Sequence, residues 1–254
     1  MGRSTPTSCR AALCTALLGV IPAVLPAAPP SATLALPAAA RVGIVNLLDP
    51  EVTHFHASRQ IENSFLKTYT VSWPVSAMEL AAVRDRLAQL GLLAVPLAPG
   101  DALRRSRESC FLDAALGKGL PKECGPLYAQ LAVSQGVAAL IVLGPGRNDA
   151  AHAGNTRHKE LPEYLRGWCF VSGGPEPVPV LLDMTELLLI GIKDSQAQLI
   201  ARAWGGDGMD WSGYRPPSDL KAFPEQQLDQ LQPLYAAMLK RQADYVLGSL
   251  QLAR

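Results

Sequence analysis

The fold is decided by residues 136–144, Gly136-Val137-Ala138-Ala139-Leu140-Ile141-Val142-Leu143-Gly144, an apolar run bounded by glycines. Every residue from 137 to 143 is apolar, which is typical of a strand that is covered on both faces of its sheet. A helical segment precedes the run, opening at Pro126 and closing at Gly136. A helix that leads directly into a buried strand indicates a βαβ unit, so this stretch predicts a parallel sheet.

Two further buried strands are expected upstream. Residues 42–48 form a continuous apolar run, and residues 92–98 form another. Between them, residues 76–91 have apolar side chains at helical spacing, and Ser76 and Glu79 have the spacing of a capping box at the start of that helix. The order strand, helix, strand, helix, strand predicts right-handed crossovers and parallel pairing.

The pattern changes in the second half of the chain. Residues 167–172, 178–193 and 198–204 are strand-like runs with short connections, and the turn at 193–196 joins the last two as an antiparallel hairpin. A long helix is expected over about 224–252, interrupted or restarted at Pro233. We therefore expect an α/β fold: a three-layer or two-layer sandwich on a mixed sheet, with a parallel N-terminal βαβ part, an antiparallel C-terminal hairpin and a long C-terminal helix.

The composition fits one globular domain. The chain has 254 residues, of which 48% are hydrophobic and 18% charged, and its 23 Lys and Arg nearly balance its 22 Asp and Glu. The apolar content excludes a disordered chain dominated by charge. Because the net charge is only +1, nucleic acid is not expected as a partner.

The first forty residues have the layout of a secretory signal peptide. Arg3 and Arg10 make a basic start, residues 11–25 are an apolar run, and Ala38-Ala39-Ala40 offers a cleavage site before Arg41. The run is shorter than the roughly 20 residues needed to span a bilayer. We expect a signal peptide over 1–40, a single α/β domain over 41–254 without a transmembrane segment, and a periplasmic or secreted location.

Three cysteines follow the expected leader. Cys110 and Cys124 flank a turn-rich segment, so the chain can fold back and join them in an oxidising compartment. Cys169 lies in an apolar run and is expected to be buried like a small hydrophobic residue. The prediction is a disulfide between Cys110 and Cys124, and the alternative is that all three thiols are free.

The four histidines follow two of the predicted parallel strands. His54 and His56 share one face if their segment is extended, and His152 and His158 follow the third core strand. Imidazoles and carboxylates suit zinc or copper, and ligand sites in open α/β sheets form at the carboxyl ends of the strands. The alternative is surface histidines that hold no ion. The candidate metal ligands are Asp49, His54, His56, Asp149 and His152.

An aromatic pair lies in a loop rich in Gly and Pro. Trp211 and Tyr214 fall within residues 205–217. Exposed aromatic side chains on such a loop anchor partners in some proteins. The alternative is that the tryptophan folds back over the core, because so large an apolar side chain is stabilised by burial.

Three short segments carry a resemblance. They are Val42-Gly43-Ile44-Val45, then Gly136-Val137 through Val142-Leu143-Gly144, then Leu181-Leu182-Asp183 on a long strand. Their order, over residues 42–204, resembles that of periplasmic accessory α/β domains, such as the N-terminal domain of the Tol translocation protein and the curli-secretion assembly lipoproteins. It also resembles secreted proteobacterial α/β proteins of unassigned function. The resemblance implies a non-catalytic role in the cell envelope.

Function is therefore expected to rest on protein contacts. We expect a secreted or periplasmic non-catalytic domain that contacts an envelope protein and needs no cofactor. The sequence has no G-x-S-x-G, Walker or H-E-x-x-H motif. Two alternatives stay open, a metal-assisted hydrolase and a metal- or small-ligand-binding protein. Both would use the crevice lined by His and Asp with a divalent metal such as zinc.

Overall fold

The computed structural model describes residues 33–58, 60–107, 109–110, 119–146, 165, 167–173, 179–204 and 208–252. The strands in these segments are β1 (Leu34–Leu36), β2 (Arg41–Asn46), β3 (Glu51–Ala57), β4 (Phe65–Thr70), β5 (Leu93–Leu97), β6 (Ala139–Pro145), β7 (Gly167–Gly173), β8 (Val180–Lys193), β9 (Gln196–Trp204), β10 (Gly208–Asp210) and β11 (Leu250–Leu252). The α-helices are α1 (Val75–Gln89), α2 (Asp101–Arg105), α3 (Cys124–Gln135), α4 (Glu225–Leu228) and α5 (Gln232–Leu247).

The long strand β8 joins two halves of the sheet. Its C-terminal half lies between β6 and β9 and continues the order β5-β2-β6. Its N-terminal half lies between β7 and β10 and continues the order β4-β3-β7. Strand β2 is parallel to β5 and β6, whereas β8 is antiparallel to β6 and β9. The predicted mixed sheet, with its parallel N-terminal part and antiparallel hairpin, is confirmed.

The hairpin between β8 and β9 turns where the sequence predicts it. Asp194 and Ser195 have φ values of 50° and 58°. Two consecutive left-handed residues match the right-handed twist of the flanking strands, which is why such two-residue loops are common in hairpins.

Helices cover both faces of the half of the sheet that contains β5, β2 and β6. Ile141 of β6 packs on the side of α1 and α5, while its neighbours Leu140 and Val142 pack on the side of α3. Each of these strand residues is fully buried whichever face it points to. This explains the unbroken apolar run that predicted the strand, and it makes this part of the sandwich three-layered.

The C-terminal segment contains the predicted long helix, which restarts next to Pro233 as predicted but ends before the predicted boundary. It begins with α4, continues through a 3-10 turn at Asp229–Leu231 and restarts as α5, whose first turn contains Pro233. The helix ends at Leu247, and the chain then forms β11, which pairs in parallel with β1. Within the described residues, no helix has both the length and the apolar character needed to cross a membrane.

The predicted disulfide is confirmed, and of the two positions expected for Trp211 the structure shows the buried one. Cys110 and Cys124 form a disulfide with their Cα atoms 5.2 Å apart, and Cys169 is a free, buried thiol. Trp211 folds back into the core, where it is 1% exposed and its indole N–H donates to Gln230 Oε1 at 3.2 Å.

Candidate functional site

Strand β3 places the two histidines of the H-x-H pair on one face of the sheet. His54 Nε2 lies 2.7 Å from Ser172 Oγ, and His56 Nδ1 lies 2.9 Å from the same oxygen. Ser172 is on the neighbouring strand β7, which pairs in parallel with β3. In this pairing Ser172 lies opposite His56. We call His54, His56 and Ser172 the histidine cluster.

Aromatic side chains surround the buried member of the cluster. His54 stacks on Phe170 with ring centroids 4.2 Å apart, and Phe65 and Phe223 meet it edge-on at 5.1 Å and 5.0 Å. Burial among these rings, together with the nearby His56, lowers the pKa of His54 from 6.5 to about 3. His54 is therefore a neutral imidazole at neutral pH.

The hydrogen bonds of the cluster assign its protons. His54 Nδ1 is buried and has no hydrogen-bond partner within the described part of the chain. A buried N–H group without an acceptor is more costly than a bare lone pair beside aromatic edges, so the proton of His54 is on Nε2. His54 then donates to Ser172 Oγ, and the Ser172 hydroxyl donates to His56 Nδ1. The cluster is a directed chain of hydrogen bonds from the core toward the half-buried His56.

Asp49 lies in a different place. It lines a cavity of 240 Å³ together with Glu51 and Thr53, and its Oδ1 accepts a hydrogen bond from Arg107 Nη1 at 2.9 Å. Since alternate strand residues point to opposite faces, Glu51 and Thr53 point away from the face that holds His54. The structure therefore does not bring Asp49 to the histidine cluster.

The predicted crevice depended on neighbouring parallel strands, and that condition holds. Strands β2 and β6 are adjacent and parallel, so their carboxyl ends open on one edge of the sheet, and the 240 Å³ cavity lies there. Of the five candidate ligands, Asp49 is at this edge, His54 and His56 are on β3, and Asp149 and His152 lie outside the described residues. Among the residues that the structure describes, no group of three or more His, Cys, Asp or Glu side chains could hold a metal ion.

Another buried titratable residue of the described fold is Glu79, which the sequence pattern assigns to a capping box. That interpretation is wrong, because α1 has Pro74 at its N-cap position and no side-chain capping bond. Glu79 is instead fully buried and accepts three hydrogen bonds. The donors are Asn46 Nδ2 at 2.7 Å, Trp168 Nε1 at 3.2 Å and the Tyr235 hydroxyl.

Burial dominates the protonation of Glu79. It raises the pKa of the carboxyl from 4.5 to about 7, although the hydrogen bonds from Tyr235, Asn46 and Trp168 act in the opposite direction. The three hydrogen bonds thus offset only part of the free-energy cost of burying the ionised carboxylate. A signal was present in the sequence, because Val75, Glu79, Val83 and Leu87 are spaced by four and all four are buried.

A second buried acid lies on the same face of the sheet. Asp183 Oδ1 accepts hydrogen bonds from the backbone N–H and the hydroxyl of Thr185, at 2.9 Å and 2.6 Å. Gln242 of α5 donates to the Thr185 carbonyl at 3.3 Å. Burial raises the pKa of Tyr235, and the charges of Glu79 and Asp183 raise it further. The two acids therefore belong to one electrostatic neighbourhood beneath α1 and α5.

A groove runs between α1 and α5 on the outer surface. Its volume is 360 Å³, and its floor includes Met78, Ala82 and Leu239. An ion pair between Arg86 Nε and Asp244 Oδ1, 3.4 Å apart, crosses its rim. The groove is open to solvent, unlike the histidine cluster and Glu79.

Comparisons with known proteins found similarity to solved structures. No protein-family model matches the chain, and no curated protein matches it. Among solved structures, the chain is similar to the 1.65 Å structure of the hypothetical protein CT253 from Chlamydia trachomatis, with 13% sequence identity and a TM-score of 0.37. The alignment covers 83% of this chain and 99% of that chain. At that TM-score, the similarity carries no argument about function.

Proposed function

We propose that this chain is an exported, non-catalytic α/β domain that acts through protein contacts in the cell envelope, in the periplasm or outside the cell. The observation that carries the proposal is the burial of two titratable side chains whose hydrogen bonds stay within the fold. His54 and Glu79 are fully buried, and their hydrogen bonds go to other side chains of the fold. Buried polar groups with such partners stabilise and orient the packing around them.

Two features support the export half of the proposal. Residues 11–25 are an apolar run preceded by Arg3 and Arg10, as in secretory signals. The disulfide between Cys110 and Cys124 is a bond that persists in oxidising compartments and is rare in the cytosol.

The proposed contacts with other proteins can be tested at exposed apolar side chains. Leu66 on β4, Leu93 on β5 and Val133 on α3 are 46%, 53% and 56% exposed. They lie on three different elements, so a contact at one of them identifies the face that meets a partner. Arg84, exposed on the outer side of α1, is a suitable control position.

The experiment is site-specific photocrosslinking in intact cells, with a photoreactive phenylalanine analogue at each of these four positions in turn. We expect a discrete crosslinked protein at one or more of the three apolar positions and none at Arg84. If the protein reaches the envelope and no apolar position crosslinks, the contact half is wrong. If the folded protein stays in the cytoplasm with Cys110 and Cys124 as free thiols, the export half is wrong.

Metal or small-ligand binding is the second candidate, with metal-assisted hydrolysis as its enzymatic form. The observation that favours it is the convergence of His54 Nε2 and His56 Nδ1 on one point, the Ser172 oxygen. A zinc ion bonded to both nitrogens at about 2 Å would require the Ser172 hydroxyl to turn away and the His54 proton to move from Nε2 to Nδ1. It would also require a further ligand, for which the sequence predicts His152.

Calorimetric titration with zinc and with copper tests this candidate. Stoichiometric binding that is lost in both His56→Ala and His152→Ala, and kept in the control His158→Ala, would support it. Binding that is equal in the wild type and all three variants would remove the cluster from consideration.

A further inference from the structure

Strand β1 ties residues that precede Arg41 into the domain. It pairs in parallel with β11 over Leu34–Leu36 and Leu250–Leu252, and the Leu34 N–H donates to the Ser249 carbonyl at 3.1 Å. Leu36 is 5% exposed and belongs to the apolar core beneath α1 and α5. These residues are therefore part of the packed fold.

The connection from β1 to β2 is also held by the domain. The Ala39 N–H donates to the Gly91 carbonyl at the end of α1, and the Ala40 carbonyl accepts from the Leu93 N–H at the start of β5, each at 2.9 Å. Ala39 takes a left-handed φ of 58° in this turn. The segment that offers an A-x-A site is thus the turn between two strands.

The apolar run of the leader ends well before this turn. Secretory signals are about 15–30 residues long, with cleavage soon after the apolar run. The run ends at Leu25, and the interval between Leu25 and Leu34 is rich in small residues, of which Ser31 and Thr33 have the spacing of an A-x-A-like cleavage site. Cleavage after Ala40 would instead need a leader of 40 residues and would remove β1.

We propose that a signal peptidase cleaves the chain between Leu25 and Leu34, so that the mature domain keeps β1. The inference rests on the proposed export and replaces the predicted start at Arg41. The step is a hydrolysis, in which water adds across one peptide bond. The carbonyl carbon on the leader side takes the hydroxyl group and becomes a carboxyl, and the nitrogen on the domain side takes the proton and becomes the new amino terminus.

Two substitutions in β1 of the full-length precursor test the proposal. Leu36 is buried and its neighbour Ala35 is exposed, so Leu36→Asp and Ala35→Asp place the same charge on opposite sides of one strand. If β1 is kept, both mature proteins differ in mass from the wild type. Leu36→Asp then lowers the unfolding temperature by roughly 5 °C or more or prevents accumulation, while Ala35→Asp stays within about 2 °C.

Cleavage after Ala40 makes the opposite prediction. The mature wild type would begin at Arg41, and all three mature proteins would have the same mass and the same unfolding temperature, because the altered residues would be lost with the leader. That result overturns this inference and leaves export intact. A precursor that keeps its leader contradicts the export itself. If Leu36→Asp does not accumulate, the mass of mature Ala35→Asp alone decides between the two cleavage positions.

Discussion

Asn46 Nδ2 donates a hydrogen bond to Glu79 Oε2 at 2.7 Å, joining the end of β2 to α1. The orientation of the Asn46 amide is fixed, because its Oδ1 accepts the Leu48 N–H at 3.0 Å. Its NH₂ group must therefore face the carboxyl. Glu79 is met by donors on both of its oxygens, and this arrangement suits the ionised form, while burial opposes it.

Glu79 should make the fold less stable as the pH rises. Because its folded pKa of about 7 lies above its ordinary value of 4.5, the folded state binds the proton more tightly. The resulting stabilisation is fully present below pH 4.5 and is lost as the pH rises through 7. The Glu79→Gln variant lacks this titration. Urea unfolding should show that the free energy difference between wild type and Glu79→Gln changes by about 2–3 kcal/mol from pH 5 to pH 8, in favour of the wild type at pH 5.

Asp85→Asn is the matched control for Glu79→Gln. Asp85 is on the same helix but exposed, so this variant should follow the wild type at every pH. If the free energies of unfolding of wild type and Glu79→Gln differed by the same amount at every pH, the pKa of Glu79 would be the same in the folded and unfolded states, contrary to this prediction.

His54 should have the opposite pH dependence. Its folded pKa of about 3 lies below 6.5, so the stabilisation is present above pH 6.5 and is lost as the pH falls toward 3. His54→Phe keeps a ring against Phe170 and removes the titration. Between pH 7 and pH 5 the wild type should lose about 2 kcal/mol relative to His54→Phe. Chemical unfolding of both proteins at the two pH values measures this. An unchanged difference would mean that His54 is not held neutral by burial.

The disulfide should stabilise the domain substantially. Closing a loop of about 15 residues by joining Cys110 and Cys124 is worth roughly 3 kcal/mol in the chain-entropy model. Unfolding with and without a reductant should differ by about this amount. Cys169 is buried and its thiol pKa is raised to about 12 by burial, so it should react with an alkylating agent only after denaturation. Equal stability of the reduced and oxidised forms, or rapid native alkylation of Cys169, would be the contrary results.

Gly173 should not tolerate a side chain. It has a φ of +81°, and a Cβ built there would lie 2.1 Å from the Ala57 carbonyl oxygen and 2.8 Å from His56 Cε1. Gly173→Ala should therefore lower the free energy of unfolding by about 2–4 kcal/mol. Gly100 is the control, because its φ is −65° and nothing lies within 4 Å of the corresponding Cβ. Thermal unfolding of the two variants compares them directly, and similar values for both would contradict the strain assigned to Gly173.

Sequence patterns predicted the parts of the fold that repeat a local rule. The unbroken apolar run of β6 and the Asp194-Ser195 turn each depend on neighbouring residues alone, and both are confirmed. The shared face of His54 and His56 follows from the period of a strand. Their common contact with Ser172 depends on the pairing of β3 with β7, which no local pattern indicates.

Sequence patterns did not predict two other features, and the reasons are physical. Glu79 satisfies the spacing rule of a capping box and also occupies a core position of its helix, and the tertiary donors decide which role it takes. The strands β1 and β11 have three residues each, too few for a recognisable period, and each finds its partner at the other end of the chain.

The pairing of β1 with β11 also has a kinetic consequence. These two strands come from opposite ends of the described chain, so their contact closes the longest loop in the fold and raises its contact order. During synthesis β1 emerges before the other described elements, yet its partner β11 becomes accessible only after all of them have been made. Native closure of the core beneath α1 and α5 must therefore wait for the last strand. A polypeptide that has to thread through a translocation channel before it folds gains time from this delay.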